Sequence, residues 1–371
     1  MPLTEGVGHH MRVTFVLPPV NLAGGTRVLA IYADRLYRRG HNVTVVSVPS
    51  ARRSLLAKAK SFVRGKGWPK NRAPEPSFFD DAIVPHRVLN AARPVIDEDV
   101  PDADIVLATF WRTAASVAAL SPRKGAKAIL LQGYETSGGT DPAIDAAWRL
   151  PLSKIVVSKW MVKLAHDRFG DSNVRLVLNS VDTTQFYAPS RRKQAVPTVG
   201  ILYSTLHLKG VDIALAALQQ VRERIENLKL VAFGVIPVSA EMALPDWCEY
   251  YHQPAQHTIR DIYSKCDLWL CASRQEGFHL PPLEAMACRC PVVSTSVGGP
   301  IDIIENGLNG YLVPVADAKA LADRMVDVLT YGEEQWRAMS DAAIATATHY
   351  TWDDATDLLE NALQEIVGSK N

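Results

Sequence analysis

The feature that most constrains the fold of this chain is a repeated alternation of short apolar runs with helical patterns. Arg12 to Leu17 is predicted to be a buried strand, and Asn42 to Val48 a second one. Between them, Thr26 to Arg39 is predicted to be a helix that ends at Gly40. Strands that alternate with helices predict a parallel sheet with helices on both faces. Further strands are predicted near residues 104–109, 127–131, 154–157 and 174–178.

A polar, basic stretch at residues 187–197 divides this pattern and has the composition of a linker. After it, strands are predicted at 198–203, 228–234, 268–272, 291–295 and 310–313. The fold class is therefore α/β, with two doubly wound, Rossmann-like domains facing each other across a cleft. The predicted segments are a disordered or tag-like stretch at 1–10, a first domain at 11–186, the linker at 187–197, a second domain at 198–350 and a C-terminal helix within 351–371.

Composition narrows the classes of protein to consider. A chain of 371 residues suits about two domains, and a net charge of +1 gives no reason to expect nucleic acid as a partner. The apolar runs are too short to span a bilayer, and no signal-peptide pattern is expected at the start. The Cys count of 5, with irregular spacing, favours a reducing compartment over a disulfide framework. We therefore expect a cytoplasmic location.

The stretch from residue 273 to 299 says most about function. It follows the predicted strand at 268–272, and the consecutive prolines Pro281 and Pro282 mark the start of a helix. Glu276 is thus expected on a loop at the carboxyl end of a strand, and Glu284 in the first turn of the next helix. In open α/β sheets, ligands bind in the crevice at these strand ends.

This loop combines groups that suit different parts of one ligand. The backbone N–H groups of residues 277–280 are expected to be available to an anion at the helix N-terminus. The carboxylates of Glu276 and Glu284 would repel an anion and are more suited to hydroxyl groups. A diphosphate with hydroxyl-rich groups at both ends meets these requirements, and a nucleotide sugar has that shape.

The same stretch resembles the Glu-x7-Glu signature of retaining glycosyltransferases of the GT-B fold, especially sequence family 4. The family pattern is roughly Ser-x-x-Glu-Gly-Phe-Gly-Leu-Pro-x-Leu-Glu-Ala-Met-Ala, followed by Pro-Val-Val and Gly-Gly. The main departure is His279, where the family usually has Gly. The resemblance implies a metal-independent enzyme without a cofactor, an N-terminal acceptor domain, a C-terminal nucleotide-sugar donor domain, and a last helix that packs back on the first domain.

A second stretch, Tyr203 to Gly210, resembles the family segment Gly-Arg-x-x-x-x-Lys-Gly, whose Arg and Lys bind the donor diphosphate. Lys209 matches the Lys and is implied to stabilise the charge that builds on the leaving diphosphate. Ser204 stands where the family has Arg, so one cation is missing. Ser204 or Thr205 is left to donate a hydroxyl hydrogen bond, and a guanidinium from elsewhere would have to supply the missing charge.

In the first domain, Gly24 and Gly25 stand where the family places a Gly-Gly loop facing the donor, although a tight strand-to-helix turn explains them equally well. Gln132 stands near a position where many members carry a His, and it is suited to orienting a hydroxyl group. Glu135 is either an acceptor of the substrate proton or a solvated loop carboxylate. In the family's usual mechanism the leaving diphosphate itself accepts that proton, so no separate base is required.

These considerations give a set of predicted site residues. Gln253 follows a short strand predicted at 248–251, and the resemblance implies that its loop lies near the nucleotide base. The predicted catalytic residues are Lys209, Glu276, Gln132 and Glu135. The predicted donor-binding residues are Gly24, Gly25, Ser204, Thr205, Gln253, Gly277, Phe278, His279, Leu280 and Glu284.

Two other patterns carry alternatives. The acidic runs at 97–99 and 102–104 look like the Asp-x-Asp of metal-dependent glycosyltransferases, but they precede a strand, so no metal site is predicted there. Residues 51–72 are basic, and Leu55, Leu56, Phe62 and Val63 share a helical face. Residues 51–66 are therefore either an amphipathic helix that binds an anionic membrane surface peripherally or an ordinary helix packed on its domain.

The sequence thus predicts transfer of a sugar from a nucleoside-diphosphate sugar to a hydroxyl of a saccharide or lipid-linked acceptor. Surface polysaccharide or glycolipid assembly is the setting that the resemblance implies. The Ser204 and Gln132 departures point to a sub-branch that uses a deoxysugar donor such as dTDP-rhamnose. The alternatives are a nucleotide-sugar epimerase of the same fold and a non-catalytic GT-B binding module. Retention of Glu276, Glu284 and Lys209 argues against the latter.

Overall fold

The computed structural model describes residues 10–50, 76–134 and 141–369. Within them, the first domain contains a parallel sheet with strand order β3-β2-β1-β4-β5-β6-β7. Its strands are β1 (Arg12–Leu17), β2 (Asn42–Ser47), β3 (His86–Val88), β4 (Ile105–Ala108), β5 (Ala126–Leu131), β6 (Ser153–Val156) and β7 (Val174–Leu176). Its helices are α1 (Gly24–Arg38), α2 (Trp111–Ala118), α3 (Asp141–Trp148) and α4 (Lys159–Phe169).

The second domain repeats this architecture with strand order β10-β9-β8-β11-β12-β13, again all parallel. Its strands are β8 (Thr198–Leu202), β9 (Lys229–Gly234), β10 (Cys248–His252), β11 (Leu268–Cys271), β12 (Val292–Thr295) and β13 (Gly310–Val313). Its helices are α5 (Val211–Arg222), α6 (Ile259–Ser264), α7 (Leu280–Ala287), α8 (Pro300–Ile303), α9 (Ala318–Thr330) and α10 (Glu333–His349).

The strands fold as predicted because both faces of each sheet are covered, so the central strands are continuously apolar. All four residues of β4, β11 and β12 are buried. β3 was not predicted, and it is short and largely exposed at the sheet edge. The predicted helix from Thr26 to Arg39 begins two residues earlier, at Gly24, so the Gly-Gly pair forms its first turn.

The last helix, α11 (Trp352–Gly368), packs against α1 of the first domain. Trp352 meets Tyr32 edge-to-face at 5.3 Å between ring centroids, and Arg39 pairs with Asp357 at 2.5 Å. One buried apolar cluster continues from the first sheet into α7 and α11, so the two domains share part of their core. Among the described residues, no helix is both long enough and apolar enough to cross a membrane.

The strand order of the two sheets determines where in the cleft a ligand-binding site can form. The order reverses between β1 and β4 in the first sheet and between β8 and β11 in the second. At such a switch point, the loops after the two strands diverge to opposite faces and open a crevice. The predicted Gly-Gly, Lys209 and Glu276 segments follow β1, β8 and β11, so each lies at a switch point.

Candidate active site

The loop between β11 and α7 carries a buried carboxylate that is fully engaged by neighbouring groups. Lys209 Nζ lies 2.7 and 3.0 Å from the two oxygens of Glu276, and Ser273 Oγ donates to Oε1 at 2.7 Å. Burial alone would raise the pKa of the Glu276 carboxyl, but His279, Lys209 and Ser273 outweigh burial and hold it below its ordinary value. Glu276 is therefore an ionised carboxylate paired with the predicted diphosphate-binding lysine.

His279 is the third neighbour of this carboxylate, with Nδ1 3.1 Å from Glu276 Oε1. Its side chain is 4% exposed, and burial lowers its pKa to about 4, with Lys209 adding to the decrease and Glu276 opposing it. The imidazole is thus neutral at pH 7. Its backbone is left-handed, with φ of 74°.

The second carboxylate of the signature is held by groups from both domains. Arg27 of α1 donates from Nη1 to Glu284 Oε1 at 2.8 Å, and Tyr263 donates its hydroxyl to Oε2 at 2.9 Å. Arg27 Nη2 also donates to Gln185 at 2.8 Å, and its guanidinium lies 5.0 Å from the ring centroid of Phe186. Arg27 and Glu284 are 12% and 11% exposed, so this is a nearly buried ion pair between the domains.

Two expectations about the carboxylates need correction. Glu284 lies in the second turn of α7 rather than its first, because the helix begins at Leu280, before the two prolines. Neither Glu276 nor Glu284 is a bare carboxylate, since each already has a cationic partner within 2.8 Å. A hydroxyl-bearing ligand would therefore share these carboxylates with Lys209 and Arg27.

The Gly-Gly segment of the first domain lies directly opposite the start of α7. A Cβ on Gly24 would lie 3.8 Å from Leu280 Cδ1. Gln132 donates from Nε2 to Gly25 O at 3.0 Å, and a Cβ on Gly277 would overlap the carbonyl oxygen of Gln132. The structure thus brings these five predicted residues together, and because Gly24 and Leu280 begin α1 and α7, the two helices start beside each other.

Residues that the sequence did not single out hold the signature loop against the first domain. Trp160 donates from its indole nitrogen to Gly277 O at 2.8 Å, and Ser158 Oγ donates to the same oxygen at 3.2 Å. Phe278, a predicted donor-binding residue, is buried, and its carbonyl accepts from Gly299 N of the second domain at 2.6 Å. A backbone acceptor leaves no trace in the sequence, so only the structure identifies these contacts.

The remaining predicted donor residues lie on the loops of the second domain that follow β8 and β10. Ser204 Oγ accepts from Leu206 N at 3.2 Å, and Thr205 is exposed. Gln253 is exposed with φ of 49°, and its amide donates to Val235 O at 3.0 Å. Arg274 is close in sequence to Glu276, but Asp212 engages its guanidinium at 2.6 and 2.8 Å.

Some predicted features lie outside the described residues, namely Glu135, the basic segment 51–66, and residues 1–9 and 370–371. In the part that the structure describes, no three metal-ligating side chains form a cluster. Carboxylates of the acidic runs before β4 form ion pairs with arginines. Asp99 pairs with Arg93 at 2.5 Å, and Asp104 pairs with Arg12 at 2.6 Å. The five cysteines are all free thiols.

Comparison with known proteins agrees with this geometry. Residues 193–331 match the family described as "Glycosyl transferases group 1". The matched residues lie in the second domain and the end of the linker, so over this region the chain is similar to the group 1 glycosyltransferases. A D-inositol 3-phosphate glycosyltransferase from Saccharomonospora viridis is 26% identical over 255 residues, which cover 62% of this chain and 58% of that protein. The aligned part thus spans less than two thirds of that relative's length.

Solved structures identify the fold as GT-B. HepE from Anabaena, in complex with UDP and glucose, aligns with a TM-score of 0.74 and 15% sequence identity, covering 96% of this chain and all of the other. Sucrose-phosphate synthase from Thermosynechococcus elongatus aligns with a TM-score of 0.73, also at 15% identity, with 96% of this chain covered. The predicted GT-B architecture is therefore confirmed.

Proposed function

We propose that this protein transfers a sugar from a nucleoside-diphosphate sugar to an acceptor hydroxyl, with retention of anomeric configuration and without a metal ion. The observation that carries the proposal is the arrangement around α7. Glu276 with Lys209 lies before the N-terminus of the helix, Glu284 with Arg27 lies one turn into it, and the Gly24–Gly25 segment closes the space from the other domain.

The donor is placed by matching its parts to these groups. Glu284 accepts from the ribose hydroxyls, because its two oxygens each retain a lone pair beside Arg27 and Tyr263. The diphosphate lies at the N-terminus of α7, where unpaired N–H groups and the helix dipole favour an anion. Glu276 then accepts from hydroxyls of the sugar. The UDP bound by HepE supports a uridine nucleotide, and dTDP-rhamnose is the alternative donor.

Lys209 is the group that lowers the barrier in this proposal. As the bond between the sugar and the diphosphate breaks, negative charge builds on the diphosphate oxygen. An ammonium group held beside that oxygen in a buried site stabilises the charge without reorganisation. The same oxygen accepts the proton of the acceptor hydroxyl on the same face, which gives retention. Gln132, fixed by its bond to Gly25, orients the acceptor.

The acceptor is proposed to be a saccharide or lipid-linked saccharide, in polysaccharide or glycolipid assembly. The resemblance in the second domain supports this setting, and the first domain is proposed to receive the acceptor. Residues 51–66 would bring the enzyme to an anionic membrane surface.

A panel of nucleotide sugars tests the proposal. UDP-glucose, UDP-N-acetylglucosamine, GDP-mannose and dTDP-rhamnose are each added to the protein, and the melting temperature and release of nucleoside diphosphate are measured. A true donor at 100 times its Kd stabilises the fold by about 2.7 kcal/mol. The effect should be lost in Glu284→Gln and retained in Glu226→Gln, an exposed control on the same domain. Absence of stabilisation by every donor in the panel contradicts the proposal.

A further inference from the structure

His279 occupies a backbone conformation that does not suit it. Its φ of 74° is left-handed, a region that glycine adopts freely and that a Cβ disfavours. The position is the N-cap of α7, yet the side chain makes no capping hydrogen bond. The local structure therefore gives no reason for a side chain here, and the residue destabilises the unliganded fold through its backbone.

The imidazole of His279 makes a second unfavourable contribution to the stability of the unliganded fold. Both ring nitrogens are buried and have no aligned hydrogen-bond partner. Buried polar atoms in native proteins nearly always have partners, and an exception within a functional site needs a physical explanation such as a catalytic role. Strained backbone at a functional site supports the same interpretation. Two independent unfavourable features at one residue indicate that His279 has a partner in another state of the site.

The surroundings show which partner is available. The ring shares a small cavity with Lys209, Cys271 and Ser273, and the charged groups facing it are Glu276 and Lys209. Nδ1 is already 3.1 Å from Glu276 Oε1 and needs only a better angle to donate to it. Because the ring is neutral, it can do so without repelling the ammonium of Lys209 beside it.

Lys209 has two possible partners, the carboxylate of Glu276 and the diphosphate of the donor. In the free protein, Lys209 is the cation paired with Glu276, and no other Lys or Arg of the described residues reaches that carboxylate. When a diphosphate binds, the same ammonium must turn to it. Glu276 would then be a buried carboxylate without a cationic partner, which is a costly state.

We infer that His279 is a positioning residue that takes over Glu276 when the donor diphosphate draws Lys209 away. The inference rests on the proposed function. Its Nδ1–H donates to Glu276 Oε1 in the donor complex, so the carboxylate stays oriented toward the sugar while Lys209 serves the leaving group. The residue is thus unfavourable in the free protein and favourable in the complex, so its benefit appears during turnover.

Three variants test this inference with the best donor of the panel. His279→Gly relieves the backbone and removes both unpaired nitrogens, so its melting temperature should rise while kcat falls about tenfold to hundredfold. Its Kd for the nucleoside diphosphate should rise about tenfold or more, because the diphosphate then draws Lys209 from a Glu276 that has no imidazole to replace the ammonium. His279→Asn should recover most of kcat, since asparagine tolerates left-handed backbone and its amide donates a hydrogen bond.

Ala316→Gly is the matched control, because Ala316 also has positive φ, at 63°, but is exposed and follows the edge strand β13. It should raise the melting temperature and leave kcat unchanged. A wild-type kcat in His279→Gly would overturn the inference. A lower kcat together with a lower melting temperature, neither of them restored by His279→Asn, would also overturn it, because that result indicates a packing role. If wild-type protein neither binds nor uses any nucleotide sugar, the proposed function itself fails, and that outcome is distinguishable from these.

Discussion

Removing either partner of the ion pair between Arg27 and Glu284 should destabilise the protein strongly, because the other charge is then left nearly buried and unpaired. Arg27→Met removes the charge and keeps an apolar stem beside Phe186. At a separation of about 4 Å between charge centres and an effective dielectric constant of about 20, the attraction is about 4 kcal/mol before desolvation. Removing one partner of a buried pair typically costs about 3–5 kcal/mol. Tyr263 still donates to Glu284, so we expect a loss near the lower end.

The assay is urea unfolding at pH 7 of Arg27→Met, Glu284→Gln and the double variant. Since the pair is nearly buried, the loss should change little between about 0.1 and 1 M salt, whereas exposed pairs are screened over that range. The double variant should lose about 2 kcal/mol less than the sum of the single variants, because neither charge is then left unpaired.

Arg38→Met provides the control, because Arg38 pairs with Asp34 at 2.7 Å but is 61% exposed. That pair should be worth well under about 1 kcal/mol. If Arg27→Met costs no more than Arg38→Met, or if the two losses at Arg27 and Glu284 simply add, the reasoning about a buried pair between the domains is wrong.

Three further predictions concern catalysis and pH. Lys209→Ala should lower kcat about 10²–10³-fold, and it should also lower the melting temperature because the buried Glu276 loses its cationic partner. Near-normal turnover of the folded variant would remove Lys209 from the mechanism. EDTA should leave turnover intact, and a loss that Mg²⁺ or Mn²⁺ restores would contradict a metal-independent reaction. The folded-state pKa of His279 is about 4, against 6.5 ordinarily, so the unfolded chain binds more protons between these values. As the pH falls from 6.5 to 4, wild type should lose about 3 kcal/mol of its free energy of unfolding relative to His279→Gly, measured by urea titration. If the difference in unfolding free energy between the two proteins does not change with pH, the imidazole is not held neutral.

The sequence located most of the fold because parallel strands buried on both faces are continuously apolar. It missed β3, since three mostly exposed residues have no such pattern. The spacing of Glu276 and Glu284, and the match at Lys209, placed three site residues in one cleft. The partners of these residues were harder to predict from the sequence. Arg27 lies 257 positions from Glu284, and the contact between the two side chains depends on how the domains dock.

The sequence also marked His279 as a departure from the family pattern, but it did not reveal the strained backbone or the unpaired ring nitrogens. The strain depends on a backbone angle, and the unpaired nitrogens depend on burial beside Glu276. Neither property follows from residue type. A signal for Arg27 was present, since it follows the Gly-Gly pair in the first helix, but nothing in the sequence distinguished it from an ordinary surface arginine.

The measurement that tests the central claim most directly is calorimetry of the free nucleoside diphosphate and of the intact nucleotide sugar. Wild type, Glu276→Gln and Glu284→Gln are titrated with both ligands. If Glu284 holds the ribose, Glu284→Gln should weaken both ligands. If Glu276 holds the sugar, Glu276→Gln should leave the free nucleotide nearly unchanged and impair only the step that involves the sugar. Equal losses for both variants with the free nucleotide would contradict the orientation of the donor on α7, and with it this account of the site.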